Sequence, residues 1–208
     1  MKIKLALFAS GAGSNALNLL EVAQTLPNLQ FALLVVDQPN SPLLQKVKVQ
    51  FPNITVALIP SPKLPDPKEN RKAHEELVLS ALREHKIQWI FLAGYMRILG
   101  ETLLNEYSSN GKSRIVNIHP SLLPAYPGLH AYERAFSAND EFGGVTVHLV
   151  DSGIDTGPLL KQEKFKRLPN DTLFDFIERG KALEWKVYGE ILRTLNQTND
   201  LLPPARNS

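Results

Sequence analysis

Apolar residues along the chain fall into short runs bounded by turn residues, and these runs alternate with stretches of helical spacing. "IKLALFA" (Ile3–Ala9), "QFALLVVD" (Gln30–Asp37), "ITVALIP" (Ile54–Pro60), "IQWIFLAG" (Ile87–Gly94) and "RIVNIHP" (Arg114–Pro120) predict strands. They are near-continuously apolar, the pattern of strands buried on both faces. Between them, Ser14–Leu26, Leu43–Gln50, Lys68–His85 and Gly100–Tyr107 predict helices. Strand and helix in alternation predict an α/β fold, an open, mostly parallel twisted sheet with helices on both faces.

Beyond Pro120 the pattern changes. A proline-rich loop, "SLLPAYPG", precedes a short predicted helix at Ala131–Ala138. "GVTVHLVD" (Gly144–Asp151) and "PLLKQEKF" (Pro158–Phe165) alternate more clearly. Joined through "SGIDTG", they predict an antiparallel pair at one side of the sheet. A last helix opens after "LPND", with Asp171 or Thr172 as its cap. Leu173, Phe174, Ile177, Leu183, Trp185, Tyr188, Ile191 and Leu195 give it an apolar stripe expected to be core. Residues 199–208 are expected to fray. With no repeat or linker in sight, the 208 residues predict one domain over 1–208.

Composition narrows the class. At 43% hydrophobic and 21% charged residues the chain is an ordinary globular sequence. The absence of cysteine excludes a disulfide framework and a thiolate metal site, and fits a reducing compartment. A net charge of +2 with no basic stripe argues against nucleic acid. No apolar run reaches the ~18 residues of a membrane span. The N-terminal run is too short for a leader peptide, so a cytoplasmic protein is expected. No metal is expected either: the histidines show no HExxH pattern and no Cys/His cluster exists.

Four pieces carry candidate chemistry. "ASGAGSN" (Ala9–Asn15) joins the first strand to the first helix. Its glycines allow close backbone approach, and free amides at a helix start suit a phosphate. It is neither a P-loop nor a complete dinucleotide fingerprint, and a plain turn would look similar. In "NIHP", Asn117 and His119 are two apart on a strand and share a face. They stand at the strand's carboxyl end, where open α/β sheets bind ligands. An amide and an imidazole aimed together can serve an oxyanion and move a proton, although a lone strand-end histidine more often bonds backbone.

"DSGIDTGP" (Asp151–Pro158) offers two carboxylates in a glycine-bent loop. Either could orient His119, raise its pKa and keep it protonated near neutrality. Asp155 is favoured because Gly157-Pro158 fixes the loop after it, but the residues alone do not exclude Asp151. In "LAGYMRIL" (Leu92–Leu99), Met96, Ile98 and Leu99 could wall a flat ring, and Arg97 is odd for a core. Lys181 and Glu184, three apart on the last helix, would ordinarily be a solvated pair.

In order along nearly the whole chain, "SGAGSN", "LAGYMRIL", "NIHPSLLPAYPGLH", "GVTVHLVDSGIDTGP" and "KALE" resemble the folate-dependent formyltransferases. The resemblance implies a single formyltransferase catalytic domain over 1–208. It implies formyl transfer from 10-formyltetrahydrofolate, as co-substrate, to the amine of glycinamide ribonucleotide in purine synthesis. By the same resemblance the catalytic trio falls on Asn117, His119 and Asp155. The ribonucleotide and its phosphate fall to Gly13, Ser14, Asn15, Lys181 and Glu184. The folate falls to Arg71, Met96, Arg97, Ile98, Leu99 and Asn117. Asn117 and protonated His119 would then donate to the oxyanion, with Asp155 moving the proton. A cis peptide before Pro124 is implied too.

The implied partners are small molecules, with no nucleic acid or membrane, and the implied assembly is a monomer or homodimer. The sequence departs from the family's wording at Ala125, around Arg71 in "ENRKAHEE", and at Trp185. Two relatives share the trio. A formyltetrahydrofolate deformylase, whose acceptor is water, usually carries a regulatory domain ahead of this core. A methionyl-tRNA formyltransferase usually carries a further domain after it, and an Arg-Gly where this chain has "YPG". An inactive folate- or nucleotide-binding module is the alternative from another class, and an intact trio argues against it.

Overall fold

The structure, a computed structural model, describes residues 2–109 and 111–202. Its contacts gather into two compact units, Met1–Val116 and Asn117–Ser208.

The first unit holds β1 (Ile3–Ala9), α1 (Ser14–Gln24), β2 (Leu29–Val36), α2 (Pro42–Gln50), β3 (Thr55–Leu58), α3 (Pro67–Glu84), β4 (Trp89–Leu92) and α4 (Glu101–Glu106). A two-residue hairpin follows, β5 (Ser108–Ser109) with β6 (Lys112–Ser113). β7 (Ile115–His119) begins in this unit and ends in the next. Then come α5 (Ala131–Ser137), β8 (Phe142–Leu149), β9 (Leu159–Lys166) and α6 (Leu173–Thr198). Seven strands are hydrogen-bonded in the order β3-β2-β1-β4-β7-β8-β9. The first pairs are parallel and β8–β9 is antiparallel, as the change in apolar pattern predicts.

In the first unit the chain starts at β1, steps outward to β2 and β3, and returns to β4 on β1's other side. That reversal is a topological switch point, where α/β sheets open a crevice beyond the strands' carboxyl ends. Leu5–Ala9, Leu33–Val36 and Ile90–Phe91 are sealed in the core, as continuous apolar runs should be. β3 corrects one expectation. It is apolar, yet Val56 and Leu58 are exposed. It lies at the sheet edge with a neighbour on one side only, and its faces are less covered.

In the second unit α6 packs on β8 and β9. Its cap is Thr172, which forms a reciprocal box with Asp175. Asp171, the other candidate, is clamped by both terminal nitrogens of Arg179 at 2.5 and 2.7 Å. The buried stripe runs through Phe176, Gly180, Glu184, Val187, Tyr188, Ile191, Leu192 and Leu195. Phe174 and Trp185, both expected in it, are 70% and 41% exposed. Phe174 is two positions from Phe176, about 200° around a helix, and so faces the opposite way. At the end of the helix Asn199 turns left-handed and Leu201 is buried. Residues 203–208 of the segment expected to fray lie outside the described residues.

No helix of the described residues is long and apolar enough to cross a membrane.

Candidate active site

Each unit carries its own cluster of the expected residues. In the first, the turn after β1 is held from two sides. Ser41, the side-chain cap of α2, donates to the Gly11 carbonyl at 2.7 Å. Ser10 donates its amide to the Gly94 carbonyl and accepts the Met96 amide on its hydroxyl, at 3.2 and 2.9 Å. The loops after β1 and β4 are thereby tied together at the switch point.

Gly13 is the N-cap of α1, with φ +70°, and a Cβ there would meet the Leu43 side chain at 2.6 Å. Both facts demand glycine. No side chain caps the first turn of α1. Gly13 offers no side chain to cap this helix start, where Ser14 and Asn15 sit, and amides at such a start suit an anion.

Arg71 from α3 and Met96, Arg97, Ile98 and Leu99 from the loop after β4 line one cleft of about 330 Å³. Met96 is 68% exposed and Ile98 is half-exposed, an apolar surface without cover. Arg97 is explained by Asp37 at the end of β2, whose buried carboxylate it meets at 2.7 Å. A buried carboxylate needs such a partner. Asn117, the remaining member of the expected folate set, lies in the second unit.

In the second unit Asn117, His119 and Asp155 come together. His119 Nδ1 is 3.2 Å from Asp155 Oδ2, and Asn117 Nδ2 donates to Asp155 Oδ1 at 3.3 Å. The Gly128 amide donates to Asp155 Oδ2 at 2.8 Å. His119 is buried at 4% exposure. Its Nε2 is 2.8 Å from the Tyr126 carbonyl. A carbonyl only accepts, so Nε2 carries a hydrogen and donates it there. The Leu123–Pro124 bond in this loop is cis.

Asp155 takes a left-handed φ of +55°, and Gly157 follows at a point where a Cβ would run into the Leu149 carbonyl. Asp can adopt that conformation at modest cost, and such strain gathers at functional sites. Asp151 has a different job. It accepts the Gly153 amide at 3.0 Å and the Thr156 hydroxyl at 2.7 Å, and is exposed. It is the Asx-type turn residue of the loop.

His148 is the residue the sequence reading missed. It is buried, its Nδ1 bonds the Leu149 carbonyl at 2.9 Å, and its Nε2 faces Asn117 Nδ2 at 3.2 Å and Asp155 Oδ1 at 3.5 Å. The β8–β9 register shifts between Val147 and His148, a local irregularity of the kind that re-aims a side chain. Alternation in "GVTVHLVD" could have put His148 on one face with Thr146, but nothing local marks the shift. Asn117 Nδ2, Asp155 Oδ1 and His148 Nε2 thus lie within 3.5 Å of one another.

The electrostatics correct one expectation. His119 was expected to be held protonated by its carboxylate. Burial instead pushes its pKa below the ordinary value, and the charges of His148 and Arg134 add to that. The Tyr126 carbonyl and Asp155 pull upward without reversing it. Burial also pushes Asp155 up, but the His148 hydrogen bond, the Gly128 amide and the two histidines' charges outweigh it, and hold it at about 2. The histidines pull only while they carry charge. The Gly128 amide donates at every pH and favours the anionic form of Asp155. Burial thus favours the neutral ring of His119 beside the Asp155 carboxylate.

Lys181 bonds Glu178 at 2.7 Å on the helix surface. Glu184 is buried at 8% exposure and accepts the Tyr132 hydroxyl at 2.5 Å. It is no solvated member of a surface pair. No group of three or more metal-ligating side chains occurs among the described residues.

Comparison with known proteins gives the family of the chain. Residues 3–192 match the formyl transferase family model. A phosphoribosylglycinamide formyltransferase of Bacillus subtilis is 37% identical over 199 residues, 95% of this chain and 96% of that protein. The trifunctional purine biosynthetic protein adenosine-3 of Drosophila melanogaster is 31% identical over 99% of this chain, which spans 15% of that longer protein. The crystal structure of phosphoribosylglycinamide formyltransferase from Bacillus halodurans superposes with a TM-score of 0.85 at 40% identity, over 97% of this chain and 99% of that one.

Proposed function

The chain belongs to the formyl transferase family, and from that premise we propose that it moves a formyl group from 10-formyltetrahydrofolate to the amine of glycinamide ribonucleotide, a step of purine synthesis. The observation that carries the reading to particular residues is the cluster of Asn117, His119 and Asp155 within hydrogen-bonding reach.

The amine nitrogen attacks the formyl carbon, and the formyl oxygen becomes an oxyanion. Asn117 donates an amide hydrogen to that oxygen. The attacking nitrogen, now cationic, loses a proton to the space between His119 Nδ1 and Asp155 Oδ2. The same proton passes, directly or through water, to the leaving folate nitrogen. The carbon–nitrogen bond to the folate breaks, giving the formamide and tetrahydrofolate. No covalent enzyme intermediate is required.

The cleft of the first unit suits the co-substrate: Met96, Ile98 and Leu99 offer apolar contact to a flat ring, and Arg71 offers a cation to a carboxylate tail. Ser14 and Asn15, with the amides beyond Gly13, hold the phosphate. Lys181 and Glu184 hold the rest of the ribonucleotide. Both compact units then serve one catalytic domain, a cytoplasmic enzyme working as monomer or homodimer on two small molecules.

The decisive assay follows tetrahydrofolate release from 10-formyltetrahydrofolate with and without glycinamide ribonucleotide. Release that depends on the ribonucleotide is expected. Release with water alone would make the chain a deformylase, and no release at all would leave only a binding module.

A second measurement checks the turn. Ser14→Ala with Asn15→Ala should raise KM for the ribonucleotide by about tenfold, the size of a lost charge-assisted bond, and leave KM for the folate unchanged. Equal effects on both substrates would remove the phosphate from this turn.

A further inference from the structure

Glu184 stands in the middle of α6 with its carboxylate out of water, a position that needs a strong donor. That donor is Tyr132 of α5, whose hydroxyl lies 2.5 Å from Oε1. The distance is that of a charge-assisted O–H···O bond. The ring is boxed in. Phe176 meets it edge-on at 6.1 Å between centroids, and Phe165 lies tilted at 6.5 Å. Tyr132 is 7% exposed and belongs to one core cluster with both.

The helix makes room for this ring. Gly180 lies four residues before Glu184, on the same face one turn back. A Cβ on Gly180 would sit 2.4 Å from both Cζ and the hydroxyl oxygen of Tyr132. Glycine inside a helix costs about 1 kcal/mol relative to alanine. α6 carries that cost at the one point where a side chain would push the tyrosine off Glu184. A merely structural tie between α5 and α6 could be apolar, as Phe176 already is. Here a short polar bond ends on a carboxylate, and it fixes one of about four acceptor sites and the plane of the rest.

We propose that Tyr132 is a positioning residue for the ribonucleotide: it fixes the carboxylate of Glu184 in the orientation that receives the sugar hydroxyls. The proposal rests on the reading that Glu184 binds that substrate. Four forms of the full chain test it: wild type, Tyr132→Phe, Glu184→Gln and the double variant, each with KM for both substrates, kcat and a thermal midpoint. Tyr132→Phe should raise ribonucleotide KM about tenfold, with kcat and folate KM within about twofold of wild type. In the Glu184→Gln background the same change should add less than about twofold, because the two groups act as one.

If Glu184→Gln raises the ribonucleotide KM while Tyr132→Phe leaves it alone, or only lowers the thermal midpoint, the positioning role is wrong and the Glu184 reading stands. Additive effects in the double variant overturn it too. An unchanged KM in Glu184→Gln removes the underlying reading, and the proposal with it.

Discussion

Asp155→Asn is expected to lower kcat by about 10²–10⁴-fold, the range of a general acid–base group, while Asp151→Asn stays within a few-fold of wild type. Both carboxylates lie in one short loop, so the contrast isolates position from composition. Asp155 faces His119 Nδ1, Asn117 Nδ2 and the Gly128 amide. An amide there can still accept the Gly128 hydrogen bond, so the loop should hold its shape. It cannot take a proton, and the anion that makes the His119 pair a proton acceptor is gone. Asp151 bonds only its own turn, Gly153 and Thr156, and Asn serves in Asx turns equally well. Steady-state turnover of both variants, with circular dichroism to show that each is folded, decides the matter. Comparable losses in the two, or the larger loss in Asp151→Asn, would take the proton-transfer role away from Asp155.

How far the sequence disclosed this site depends on the range of the signal. β1 was legible to the residue, because a short, mostly apolar run ending in a glycine turn suits a first strand. Asn117 and His119 were legible as a pair, because strand periodicity and the following proline fix which way they point. Met96, Ile98 and Leu99 were legible as walls for a flat ring, the folate assignment of Arg71 came from resemblance to a family, and they do share a cleft. What stayed hidden depends on tertiary context. The apolar composition of Thr55–Leu58 gave no sign that the strand ends a sheet. Phe174 and Phe176 differ only in helical phase, which is set by what α6 packs against. His148 meets Asn117 from a neighbouring strand, a pairing that one strand's sequence does not show. Asp151 and Asp155 separate only when one of them is seen bonding its own loop. The charge on His119 is not legible, because the sequence names the carboxylate beside it and not the burial around it.

That charge carries the second large effect. His119→Ala should lower kcat by about 10²–10⁴-fold, since it removes one side of the proton-accepting pair. The pH profile separates this role from a passive one. Burial lowers the pKa of His119 more than Tyr126 and Asp155 raise it, so the neutral ring is the working form near neutrality. As pH falls the ring gains a proton, the space beside Asp155 fills, and kcat drops. The midpoint of that acid limb should lie below the ordinary histidine value of about 6.5. Asp155 raises the His119 pKa, so the residual activity of Asp155→Asn should show the limb at still lower pH. His119→Ala should lose the limb altogether. Profiles of kcat at saturating concentrations of both substrates measure all three. A wild-type limb above the ordinary histidine value, or an upward shift in Asp155→Asn, would mean that His119 works as the imidazolium. The oxyanion would then draw its second donor from the ring, through an Nε2–H freed from the Tyr126 carbonyl.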